Sequence, residues 1–158
     1  MNNVKLSNNF WLSELTVSQT ATRHGIDNTP STAELNNLKE SCENLWQPVR
    51  EILGKPMLIS SGYRSPLVNA RVGGSRTSAH CYGYAIDFTC PAFGTPLEIA
   101  RFLSKELPKR GIKYDQIIME FGRWVHLAYK NGAGEQRGKN TTAAKVGGKT
   151  VYVGGVQA

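Results

Sequence analysis

The chain has 158 residues, with 19 Lys and Arg against 12 Asp and Glu, a net charge of +7, and 40% hydrophobic and 20% charged residues. That length fits one ordinary domain able to bury a core without disulfides, and no run approaches the roughly 20 apolar residues of a membrane-spanning helix, so membrane insertion is not expected. The charge favours a polyanionic partner, but the basic residues are scattered without finger spacing or a ribonucleoprotein aromatic motif, so specific nucleic-acid binding is not expected either.

The start, MNNVKLSNNFW, lacks the basic and then apolar stretch of a secretory signal, which leads to the expectation of synthesis and folding in a cytoplasm. A monomer is expected. Cys42, Cys81 and Cys90 are too few and too oddly numbered for a disulfide framework, so free thiols are expected, with a Cys81–Cys90 bridge after release into an oxidising space left open.

In chain order, a short helix is expected over 12–19, then a polar loop from Arg23 to Pro30. Ser31 followed by Glu34 is a capping-box pattern, each side chain reaching a free N–H of the first turn, so a long helix starts there. Leu35, Leu38, Cys42, Leu45, Trp46, Val49 and Leu53 recur every three or four residues and form its core stripe, and Gly54 and Pro56 end it. Residues 57–61 have strand length and composition, and 62–79 read as a loop with one helical turn near 66–72. Tyr84 to Thr89 reads as a strand with Ala85 and Asp87 on one face and Ile86 and Phe88 on the other. Thr95-Pro96-Leu97-Glu98 starts a helix over about 96–107, closed by Pro108 and Gly111. Strands follow over 115–120 and 123–129, joined across Phe121-Gly122. The domain is placed at 1–130, and the Gly-, Lys- and Thr-rich residues 131–158 read as a loose tail with one edge strand over 149–153.

Of three histidines, His80 and His126 lie beside short rigid elements and His24 in a polar loop. A catalytic zinc needs about three protein ligands and one position left for water, and His80, Asp87 and His126 make such a set. His80 and Asp87 stand seven residues apart, opposite faces on a straight strand, and Gly83 offers the turn that would bring both to one metal. On spacing alone, ordinary hydrogen-bonded histidines explain the pattern more readily than a metal site.

The run Ser78-Ala79-His80-Cys81-Tyr82-Gly83-Tyr84-Ala85-Ile86-Asp87 resembles the S-x-H-x-x-G-x-A-x-D signature of the M15 zinc peptidases, the D-alanyl-D-alanine carboxypeptidase group that includes many phage endolysins. The likeness extends upstream through Ser61-Gly62-Tyr63-Arg64-Ser65-Pro66, Asn69 and Val72-Gly73-Gly74, and downstream through Asp115-Gln116, Glu120 and Trp124-Val125-His126. It covers about residues 10–130 and is nearest to the phage-type branch.

The resemblance implies an α+β fold of the hedgehog and DD-peptidase type, a small mainly antiparallel sheet with flanking helices. It implies zinc on His80, Asp87 and His126, with Arg64 beside the substrate to polarise the scissile carbonyl or hold the oxyanion. Many relatives carry the general base three residues before the last ligand, where this chain has Arg123. Glu120, six residues before His126, is then the expected base, with Asp115 in reserve, and Ser78 and Tyr82 are expected to bind substrate. The implied activity is hydrolysis of peptide bonds in bacterial peptidoglycan by a phage or prophage lysis enzyme, made in the host cytoplasm and released to the wall during lysis. The competing reading is a silent zinc-fold binding or virion-structural module, motivated by Arg123.

Overall fold

The computed structural model describes residues 3–157. A small antiparallel pair, β1 (Lys5–Ser7) and β2 (Phe10–Trp11), leads into α1 (Leu12–Thr16) and α2 (Gln19–His24). The single helix expected over 12–19 is thus two: Val17 takes extended backbone, and Ser18 begins a new cap by accepting the Ala21 N–H. The loop expected from Arg23 starts only after Gly25, whose left-handed backbone closes α2.

The Ser31–Glu34 capping box forms and starts α3 (Thr32–Ser41), which runs through a widened π-helical turn (Cys42–Trp46) into α4 (Gln47–Leu53). Pro48 explains the widening: it has no N–H and would press on the carbonyl one turn back, and a wide turn just before it relieves both problems. Of the expected stripe, Leu38, Cys42, Leu45, Trp46, Val49 and Leu53 are buried, while Leu35 packs at the edge. Trp46 also donates its indole N–H to the Leu127 carbonyl (3.3 Å), which ties the helix to the strand bearing His126.

The remaining elements are β3 (Leu58–Ser61), α5 (Pro66–Arg71), a 3-10 turn (Ala79–Tyr82), β4 (Ala85–Thr89), α6 (Pro96–Lys109), β5 (Gln116–Glu120), β6 (Trp124–Ala128), β7 (Lys139–Val146) and β8 (Lys149–Gly154). Helix α6 carries Pro108 within its last turn and stops at Gly111, slightly beyond the expected end. β3 to β8 form one six-stranded sheet in the order β3-β4-β6-β5-β7-β8, antiparallel except for the β5–β7 pair. The α+β class and the mainly antiparallel sheet with flanking helices are therefore as expected. No helix among the described residues is long and apolar enough to cross a membrane.

Strand alternation divides the sheet. Ile86, Phe88, Ile117, Met119, Val125 and Leu127 join one core with Ile99, Ala100, Leu103 and Leu107 of α6 and the α3–α4 stripe. The opposite face carries the polar residues described below.

The segment read as a loose end with one edge strand instead builds two strands. β7 and β8 meet at the two-residue turn Gly147-Gly148, both with positive φ (57° and 79°), the backbone a tight hairpin twist requires. β7 escaped notice because Lys139–Val146 has no large apolar residue except Val146; its buried positions are Thr141, Thr142 and Ala143.

Candidate metal centre

Asp87 and His126 face each other across the β4–β6 ladder, so both side chains leave the same face of the sheet at neighbouring positions. His80 arrives from the 3-10 turn, which Ser78 caps by accepting the His80 N–H. Gly83 ends that turn at φ +80°, and a Cβ there would lie 2.7 Å from the Glu34 carbonyl oxygen. Asn37 and Ser41 of α3 donate to the Tyr82 and Gly83 carbonyls (2.9 and 3.0 Å), fastening the turn to the long helix. This reversal at Gly83 cancels the odd separation and brings His80 onto the Asp87 face.

One oxygen of Asp87 lies 3.2 Å from His80 Nε2 and 3.0 Å from His126 Nδ1, and donor atoms of all three residues lie within 4.8 Å of one another. For bonds of the usual zinc length, tetrahedral donors stand about 3.3 Å apart, close to both measured separations. The chemistry of the set is equally specific. His80 Nδ1 is 2.7 Å from the Gly62 carbonyl oxygen, an atom that can only accept, so Nδ1 carries the proton. Burial lowers the His80 pKa, against the opposing pull of Asp87, and favours the neutral ring, whose Nε2 then offers a lone pair. That lone pair faces a carboxylate oxygen, and two acceptors at such a distance are reconciled by a cation between them. Burial would raise the Asp87 carboxyl, but the two imidazoles set against it, His80 and His126, outweigh that and hold the group well below the usual carboxylate range. The residues present fit a divalent metal.

Gly62 supplies the second contact that orients His80, and it does so under constraint. A Cβ on it would fall 2.4 Å from the Leu15 carbonyl oxygen, so α1 passes directly over this backbone, and the Tyr63 N–H donates to that same oxygen (2.7 Å).

A cleft of about 630 Å³ opens over the three residues and is also lined by Arg64, Ser78, Glu120 and Trp124. Burial raises the Glu120 carboxyl, with His126 and Arg64 pulling it down and Asp87 pushing it up. Arg64 is partly buried, its Nε lacks a hydrogen-bond partner among the described residues, and burial lowers its pKa. Trp124 forms cleft wall rather than core, and its indole N–H is likewise unpartnered.

Of the other expected residues, Asp115 borders the cleft but is otherwise engaged, and the rest lie outside it. Asp115, the reserve base, is 1% exposed and bound to Arg137 through Nε, Nη2 and the backbone N–H at 2.9, 2.9 and 3.1 Å. Its carboxylate is fully engaged as a clasp. Tyr82 is turned away from the cleft: it stacks on Tyr84 and lines a separate depression with Glu34 and Cys81. Arg123 is exposed in the β5–β6 turn, and His24 is exposed at the end of α2. Tyr63 is buried and donates to Glu34 (2.7 Å), a structural bond. All three cysteines are free, Cys42 and Cys90 in the core and Cys81 half-buried, so Cys81 and Cys90 are not bridged.

The cleft also receives Lys139, Thr141 and Tyr152 from the C-terminal hairpin, which the sequence reading missed. A signal was present: two β-rich runs separated by Gly-Gly are a hairpin pattern.

No curated protein matches the chain in a sequence search. A scan against protein-family models matches residues 8–128 to Peptidase M15, most of the chain and every residue of the cluster. With a His-Asp-His site formed at the matched positions, the chain belongs to the Peptidase M15 family and is a metallopeptidase of that family.

Proposed function

We propose that this protein is a zinc-dependent peptidase that hydrolyses peptide bonds in bacterial peptidoglycan, working as a phage or prophage lysis enzyme. The observation that carries the reading is the pair of imidazoles on a single Asp87 oxygen, with the His80 tautomer set by Gly62. Held by His80, Asp87 and His126, zinc would supply Lewis acidity toward water and toward a scissile carbonyl.

The chain's own groups account for the rest. Glu120, with its affinity for protons raised by burial, takes a proton from the attacking water and passes it to the leaving amine. Arg64 presents an unpaired guanidinium edge where negative charge grows on the carbonyl oxygen. Ser78 shapes the His80 turn and the cleft rim. The silent-module reading rested on Arg123; Arg123 is exposed outside the cleft while Glu120 lines it, which supports the enzyme reading over that one.

The phage-type resemblance supports the lytic setting, with folding in the host cytoplasm before release to the wall, and the net charge of +7 supports adhesion to an anionic wall. Zymography on purified walls tests the activity: clearing by the native chain, its loss with Glu120→Ala or a chelator, and recovery with zinc are expected. No clearing by the zinc-loaded native chain would overturn it. Mass spectrometry of the released muropeptides then identifies the bond cut, and adhesion unchanged by strong salt would refute the electrostatic part.

A further inference from the structure

The ladder register places the hairpin in the floor of the cleft. Asp87 pairs with His126, His126 with Ile118, and Ile118 with Thr141, so one row of side chains runs from the metal centre into β7. Two residues along β7, Lys139 lies opposite Gln116 in the same face. Thr141 stands two strands from His126, about 10 Å at ordinary strand spacing. None of these hairpin residues lies within the family match, which ends at residue 128.

We propose that Lys139 is a specificity residue, binding a carboxylate of a peptide substrate two or three residues from the scissile bond. This rests on the peptidase reading above and names a feature of its substrate. Two observations carry it. First, the position is built: Asp115 accepts the Lys139 backbone N–H (2.8 Å) while its carboxylate clasps Arg137, so both ends of Asp115 hold the start of β7 to β5. Secondly, that clasp consumes Arg137 and leaves Lys139 as the hairpin's unpaired cation on the cleft, since its ammonium joins no ion pair or hydrogen bond among the described residues. Lys139 stands two residues further along β7, so its Cα is about 12 Å from that of His126, and its long side chain brings the ammonium within reach of a carboxylate two or three residues of extended peptide from the cleaved carbonyl. Thr141, buried beside it, offers its hydroxyl to the same peptide.

The test uses the full chain and two synthetic stem peptides, identical except that the isoglutamyl α-carboxylate is free in one and amidated in the other. Dissociation constants are measured by calorimetry, and KM and kcat by product chromatography. The native chain is expected to bind the free-carboxylate peptide about fivefold to tenfold more tightly, with the preference seen in KM rather than kcat and reduced by salt. Lys139→Met should bring the ratio to within about twofold, and Lys139→Arg should restore most of it. A ratio that survives in Lys139→Met overturns the proposal, as does a native chain that binds both peptides equally. Failure of the native chain to bind or cleave either peptide overturns the peptidoglycan reading and this one with it.

Discussion

Replacing Gly62 by alanine tests whether the packing of α1 sets the chemistry of His80. The new Cβ would stand 2.4 Å from the Leu15 carbonyl oxygen and 2.8 and 2.9 Å from the Leu15 Cα and carbonyl carbon. Carbon and oxygen tolerate about 3.3 Å, so the two backbones must separate by roughly 1 Å. Helix α1 yields little, because Leu12 and Leu15 are buried in the core, so much of the movement falls on residue 62. Its carbonyl is the acceptor that orients His80 at 2.7 Å, and such a displacement carries that bond beyond ordinary hydrogen-bond length. Overpacking of this kind costs about 1–3 kcal/mol, which for a chain of this size lowers Tm by roughly 3–10 °C. Loss of the contact orienting a metal-bound histidine weakens zinc binding by about tenfold to a hundredfold. Scanning fluorimetry of the apo protein reads the first effect, and competition against a chromogenic chelator reads the second. A Tm drop with unchanged zinc affinity would refute the coupling to His80, and no change in either would refute the close approach itself.

Zinc at a hundred times its Kd should stabilise the native chain by about 2.7 kcal/mol, raising Tm by roughly 5–11 °C, and Asp87→Asn should abolish that shift in fluorimetry. Glu120→Gln should lower kcat by about 10²–10⁴ while zinc affinity, measured by chelator competition, changes little. Because burial raises the Glu120 pKa and the base must be deprotonated, kcat/KM should fall as pH drops through a value above the ordinary carboxylate range. An acid limb that persists unchanged in the residual activity of Glu120→Gln would assign it to another group. Arg137→Met strands the buried Asp115 carboxylate, for about 2–4 kcal/mol of lost stability by urea denaturation, and adding Asp115→Asn should recover part of it.

The sequence was most legible where one local rule decides the outcome. The Ser31–Glu34 and Thr95–Glu98 boxes start helices where expected, because cap, backbone and glutamate all lie within one turn. The candidate ligands were legible as a motif, but their convergence was not, since it depends on the reversal at Gly83 and on the pairing of Asp87 with His126. Asp115 and Glu120 were indistinguishable as carboxylates near a ligand strand. What separates them is Arg137, which stands 22 residues beyond Asp115 in a segment whose composition suggested no structure. Tyr82 misled for a related reason: a residue two positions from His80 in a 3-10 turn points well away from it, and the motif alone does not reveal the turn.

The two faces of the sheet divide stability from chemistry. On the helix-covered face, Ile86, Phe88, Val125 and Leu127 bury apolar area that periodicity announces in advance. On the other, Asp87, His126, Glu120 and Trp124 occupy the alternate positions of those same strands or of their neighbour β5, so each side chain's direction is inherited from a backbone that the opposite face holds rigid. Such a face gains little from burial, and two of its polar groups, Arg64 Nε and Trp124 Nε1, have no hydrogen-bond partner among the described residues. The hairpin fits this division: with Thr and Ala at its buried positions it adds little to the core, and its presence is better explained by what it places on the cleft. Truncations that spare residues up to 128 therefore remove Lys139, Thr141 and Tyr152 from the cleft while leaving all three candidate ligands in the chain.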